Sequence, residues 1–136
     1  MGIGRQFEAV NKPTEVQIDL EDPFISVAAG SSHSVGLGTS GTVYVWGSNK
    51  EGQLGLGADG EESLFVPTPL TAFMTSVGPV KSISCGYYHS AIVAADAEGL
   101  GSLYTFGEAE GGKLGLGTEA TEIDVPTRVE LPNENV

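Results

Sequence analysis

FISVAAGSSHSVGLGTSGTVYVWGSNKEGQLGLG, Phe24 to Gly57, is answered later in the chain by VKSISCGYYHSAIVAADAEGLGSLYTFGEAEGGKLGLG, Val80 to Gly117. Gly30 and Gly86 are 56 residues apart, as are His33 and His89; Gly47 and Gly107, Gly55 and Gly115, and Gly57 and Gly117 are 60 apart. The step from 56 to 60 places a four-residue insertion in the turn before Tyr104. Pro67-Thr68 and Pro126-Thr127 close the two copies. A repeat of this length marks stacked units that bury their faces on one another.

The N-terminus carries the tail of a third unit: Gly2-x-Gly4 stands for the last two glycines, Met1 for Leu54 and Leu114, and Pro13-Thr14 for the closing pair. The expected organisation is residues 1–20 as the tail of a preceding repeat, 21–78 as the first complete repeat and 79–136 as the second. Such a chain reads as part of a longer array.

Within each unit the period is that of a strand. His33, Val35 and Leu37 alternate with Ser34, Gly36 and Gly38, and side chains two apart share a sheet face. Val27 and Ala29 lie on one face of an earlier strand, with Ile83 and Cys85 as their counterparts. Ser40-Gly41 is a turn, and Val43 to Trp46 is rich in β-branched and aromatic residues. The closing prolines suit an edge strand. Thr71 to Met74 has room for one helical turn and no more. Several short strands per unit and a long period point to propeller blades; a sandwich needs no such repeat, and a β-helix repeats on a shorter one.

Charge narrows the partners. Six Lys and Arg against 18 Asp and Glu give a net charge of −12, a field that repels phosphate backbones and anionic membranes. Direct nucleic-acid binding and membrane insertion are not expected. One cysteine, Cys85, builds neither an internal disulfide nor a cysteine metal cluster. No apolar run approaches a membrane span, so a cytoplasmic location is the expectation.

Gly55-x-Gly57-x-x-Gly60 has the spacing of a dinucleotide loop. Such a loop holds phosphate by opening a helix whose N–H groups face the anion. Here Glu61-Glu62, Pro67 and Pro69 follow instead, and the second copy has Ala120 where Gly60 stands. The glycines are read as φ > 0 positions of a tight connection anchored by Leu54 and Leu56, or by Leu114 and Leu116. No cofactor is expected.

His33-Ser34 and His89-Ser90 suggest a nucleophile and its base. Neighbours on a strand point to opposite faces, so neither histidine reaches its own serine. Both hold the same repeat position, which assigns a scaffold role: a ring hydrogen-bonded to backbone in each blade. No carboxylate is spaced beside them for a metal. Trp46 and Phe106 are equivalent core positions, and Cys85 is a small buried residue where Ala29 stands. The acidic residues, Glu61-Glu62, Asp96 with Glu98, Glu108 with Glu110, and Glu119 with Glu122 and Asp124, read as solvated loops.

V-x-x-V-A-A-G-x-x-H-S, then G-x-V-Y-x-W-G-x-N-x-x-G-Q-L-G-x-G, then P-T, resembles the repeat of the regulator of chromosome condensation family over nearly the whole chain. The resemblance implies an all-β fold: two antiparallel blades, plus a partial one, of a seven-bladed β-propeller. Its structural repeat positions fall on Gly30, His33, Trp46, Gly47, Gly55 and Gly57 and again on Gly86, His89, Phe106, Gly107, Gly115 and Gly117. Ile83 to Val93 and Leu103 to Gly117 are similar to the branch of the family typified by the retinitis pigmentosa GTPase regulator, with Glu108 and Lys113 replacing the Asn and Gln of the first copy.

The branch implies a non-catalytic interaction scaffold in ciliary trafficking, at a cilium or centrosome, with protein partners such as ciliary transport proteins. The family also implies two alternatives. One is guanine-nucleotide release from a small GTPase, although no inserted β-wedge is found here. The other is a substrate-docking propeller of a larger enzyme such as a ubiquitin ligase. The tryptophan cluster and Gly-Trp-Arg-His-Thr motif of the family's ultraviolet photoreceptors are missing from this sequence, which has one Trp. Blade flanks are apolar, so two blades alone are expected to be marginally stable or to associate, through remaining blades of a parent chain or with themselves.

Overall fold

The structure, a computed structural model, describes residues 10–18 and 21–132. It holds two four-stranded antiparallel sheets. The first runs β1 (Phe24–Ala29), β2 (His33–Gly38), β3 (Val43–Ser48) and β4 (Ser63–Pro69). A single helical turn, α1 (Thr71–Met74), leads to the second: β5 (Val80–Cys85), β6 (His89–Ala95), β7 (Gly101–Glu108) and β8 (Glu122–Arg128). In both sheets chain order is spatial order. The proline-bearing β4 and β8 are edges, where a missing N–H costs no ladder bond. Residues 10–18 form no strand; the tail expected at Met1, Gly2 and Gly4 lies outside the described residues.

Register assigns the faces. His33 pairs with Gly47, Val35 with Val45 and Leu37 with Val43; the opposite face carries Ser34 with Trp46 and Gly36 with Tyr44. The second sheet repeats this, His89 with Gly107 on one face, Ser90 with Phe106 and Ile92 with Tyr104 on the other. Val35, Leu37, Val43 and Val45 join Ile92, Ala94, Phe106, Val80, Leu54, Leu70 and Phe73 in one buried cluster that spans both sheets. Each such side chain taken from water contributes about 1.5–3 kcal/mol, so this seam is the main apolar term between the sheets. Phe73 packs edge-on to Tyr104 with centroids 5.0 Å apart, which fixes the linker onto the second sheet.

The two blades fill equivalent space differently. Val80 and Ile92 of the second blade become Phe24 and Gly36 in the first, where a Cβ on Gly36 would lie 2.6 Å from the Phe24 ring. A large-for-small exchange across the pair conserves volume, as close packing demands. Phe24 then stacks on Trp46 at 5.8 Å and lies against Tyr44 at 5.3 Å.

Candidate functional site

The polar chemistry concentrates at the joint between the sheets. Ser90, fully buried, gives its proton to the Gln53 carbonyl oxygen at 2.8 Å. Its oxygen therefore accepts from the His33 Nε2–H at 2.9 Å. That leaves His33 Nδ1 as a lone pair, buried with no partner among the described residues. Burial lowers the His33 pKa to about 4; the His89 backbone opposes this shift and the His89 charge adds to it. The imidazole is thus a neutral fixture near pH 7. His33 is 2% exposed and Ser90 0%, so no substrate reaches the serine oxygen.

This differs from the backbone partner expected of each ring. His33 bonds a serine of the next sheet, 57 residues on. Strand alternation held the signal: it separates His33 from Ser34, and by the same rule it presents histidine on one blade face and serine on the other. Stacking two such blades brings the two together. The His89 ring makes no such bond among the described residues; burial lowers its pKa first, then Lys113, while Glu108 raises it.

Gly30 and Gly86 serve close approach. A Cβ on Gly30 would lie 2.3 Å from the His33 ring and 2.6 Å from the Gly86 carbonyl oxygen. The connecting loop is bent at Gly55 and Gly57, with φ of +69° and +83°, where any other residue is strained. That bend aims the Gly57 N–H at the Asp124 carbonyl oxygen of β8, 2.8 Å away. It is followed by β4, not a helix, so it presents no helix N-terminus to an anion. Ser31 N–H to the Tyr87 carbonyl (2.9 Å) and Val80 N–H to the Gly41 carbonyl (3.1 Å) complete the backbone stitches between the blades.

Asp22 was missed in the sequence because its counterpart is Gly78. Its carboxylate accepts from Ser40 N–H (2.9 Å), Ser40 Oγ (2.7 Å), Tyr44 Oη (2.7 Å) and Thr39 Oγ1 (3.2 Å), closing the β2–β3 turn. The Ser40 backbone and hydroxyl bonds, ahead of burial that opposes them, hold its pKa down to about 2. The inserted β6–β7 turn is held instead by its own Asp96, which accepts from Leu100 N–H at 2.8 Å and Glu98 N–H at 3.1 Å. Cys85 is half-buried, and burial pushes its thiol up to about 11, with the nearby Ser90 hydroxyl opposing the shift.

Register corrects one correspondence. Glu108 lies opposite Glu122 as Ser48 lies opposite Ser63, so Ala109, not Glu108, takes the place of Asn49. Lys113 does stand where Gln53 stands, and it pairs with Glu108 at 2.6 Å. Among the described residues no three His, Cys, Asp or Glu side chains gather as a metal site, and no helix is long and apolar enough to cross a membrane. Phe106 is fully buried and Trp46 6% exposed.

Two blades stitched face to face by a repeated set of residues define a β-propeller repeat protein. The chain belongs to the regulator of chromosome condensation (RCC1) repeat family: the family pattern matches residues 40–93 and 101–136, and a second form of the same repeat matches 24–53. It is 47% identical over 129 residues to the X-linked retinitis pigmentosa GTPase regulator of Canis lupus familiaris, covering 95% of this chain and 12% of that one. It is 35% identical over 136 residues to the probable E3 ubiquitin-protein ligase HERC3 of Homo sapiens, covering 100% of this chain and 12% of that protein. The crystal structure of Prp20p from Saccharomyces cerevisiae, described with its binding properties to Gsp1p and histones, superposes with a TM-score of 0.74 at 28% identity, over 90% of this chain and 29% of that one. The chain thus spans about an eighth of the two curated relatives' length.

Proposed function

We propose that these blades belong to a non-catalytic protein-interaction propeller that serves ciliary trafficking. The observation that carries the reading is the sealed His33–Ser90–Gln53 network: the histidine and serine that do meet are buried in the joint between the blades. The loops between strands are exposed, the usual binding surface of a rigid scaffold. The resemblance to the retinitis pigmentosa regulator branch implies a ciliary or centrosomal role and partners such as a prenyl-binding phosphodiesterase delta subunit, and the 47% identity to that regulator supports the resemblance. The test is a binding assay between that purified subunit and the intact propeller carrying these blades. Saturable binding is expected; its absence with every ciliary transport protein tried overturns the reading.

Guanine-nucleotide release is the second reading, favoured by the likeness to Prp20p, whose described properties include binding Gsp1p. A propeller of this kind acts by binding the nucleotide-free GTPase more tightly than the loaded one. Acceleration of labelled-nucleotide release by the intact propeller would establish it in place of the scaffold reading.

A further inference from the structure

The joint between the two blades is open at one end. A cleft of about 440 Å³ lies there, where the β1–β2, β3–β4 and β5–β6 connections gather. The first blade supplies Ser32, Lys50, Glu51 and Gln53 to its walls, and the second supplies Tyr88. Both walls thus come from adjoining blades of this chain, and the volume falls within the roughly 300–1,000 Å³ of ligand-binding clefts.

One wall carries an unspent donor. Gln53 is 1% exposed, and its Oε1 accepts from the Glu51 N–H at 2.8 Å. Its Nε2 therefore points away from that bond, has no partner among the described residues and stays open to the cleft. Glu51, on the same wall, is half-buried, and its carboxylate has no partner among the described residues.

The facing wall is aromatic where the fold does not require it. Tyr88 packs edge-on to Tyr87 with ring centroids 4.7 Å apart, and Tyr87 is 69% exposed. Ser31 and Ser32 hold the equivalent positions in the first blade. Ser48 N–H donates to the Ser32 carbonyl at 2.8 Å and Glu108 N–H to the Tyr88 carbonyl at 3.0 Å, so serine and tyrosine serve the backbone alike. Ser31 and Ser32 are exposed even though the second blade follows them, so a tip at this position faces solvent beside a neighbouring blade. The β3–β4 connection around the cleft carries Glu51, Asp59, Glu61 and Glu62 against Lys50, which makes the local field negative.

We infer that this cleft binds an extended, arginine-bearing segment of a protein partner, the guanidinium stacking on Tyr88 and pairing with Glu51 while a backbone carbonyl of the same segment accepts from Gln53 Nε2. Arginine suits both walls, since its planar fork matches a carboxylate and its flat face lies on an aromatic ring. The Gln53 donor needs an acceptor, which every peptide bond supplies. The inference rests on the scaffold reading and gives that scaffold one recognition site.

Tyrosine-labelled NMR of the intact propeller carrying these blades tests it, with Tyr88 assigned through Tyr88→Phe. The probe is the end-blocked peptide Gly-Ser-Arg-Ser-Gly, compared with the same peptide carrying glutamine or glutamate in place of arginine. The arginine peptide should shift Tyr88 saturably, and the glutamine peptide should bind about fivefold more weakly. Glu51→Gln should weaken the arginine peptide about threefold and leave the glutamine peptide unchanged. Tyr88→Ser, a side chain the first blade already carries there, should weaken it about fivefold, read from the Tyr87 signal. No shift of Tyr88, equal binding of the arginine and glutamine peptides, or preference for the glutamate peptide, which would make Lys50 and Gln53 an anion site, would overturn the proposal. Its failure leaves intact a scaffold that binds transport proteins elsewhere on the propeller. Failure of the scaffold reading shows instead as no binding of any transport protein while the arginine peptide still shifts Tyr88.

Discussion

His33 carries a pH signature whose sign follows from its buried, neutral state. Its folded pKa of about 4 lies below the ordinary value of 6.5, so the unfolded chain takes up the proton first as pH falls. Its contribution is whole above pH 6.5, declines from there to pH 4 and is then constant, a loss of about 3 kcal/mol across the window. Urea unfolding followed against pH should show that slope, and His33→Gln should reduce it, leaving the part that His89, also lowered by burial, contributes. Asp22 acts in a lower window, since its pKa is held down to about 2 against a usual 3.8. The stability it gives is present above pH 3.8 and lost as pH falls through 2. Asp22→Asn should therefore lower Tm at pH 7 and leave the acid-unfolded baseline below pH 2 unchanged. Cys85, raised to about 11, should react with a maleimide at neutral pH far more slowly than a free thiol.

Among the elements, the Gly-Leu-Gly bends and the edge strands they clasp were legible in the sequence, because glycine spacing and paired prolines are local signals. Gly55 and Gly57 rank differently despite similar φ. An alanine Cβ at Gly55 meets Phe106 and Pro126 at 3.0 Å, while at Gly57 it meets only Val125 at 3.7 Å. Gly57→Ala should cost about 1 kcal/mol, the backbone penalty alone. Gly55→Ala should cost more, by an added steric conflict of about 1–3 kcal/mol. Chemical denaturation of the two variants gives the order, and equal losses would refute the packing difference. The cross-blade serine was not legible in the same way: no local pattern names a partner 57 residues distant. Asp22 was illegible for another reason, since only one copy carries it and the second blade braces its longer turn with Asp96.

For the whole molecule, the period gave the two blades and the order of their strands, because stacking units must repeat their contacts. How the blades interlock depended on a choice of faces that one sequence leaves open until the sheets are set side by side. The account rests on those blades being one cooperative body, joined through His33, Ser90 and Gln53. Trp46, the chain's one tryptophan, lies in the first blade, whereas Ser90 lies in the second. The deciding measurement is thermal unfolding of Ser90→Ala followed by Trp46 fluorescence. Loss of this doubly bonded buried hydroxyl should cost about 2 kcal/mol. The account predicts that the Trp46 transition falls by about 5–10 °C together with the circular-dichroism transition. A Trp46 transition that stays at its wild-type temperature would contradict it.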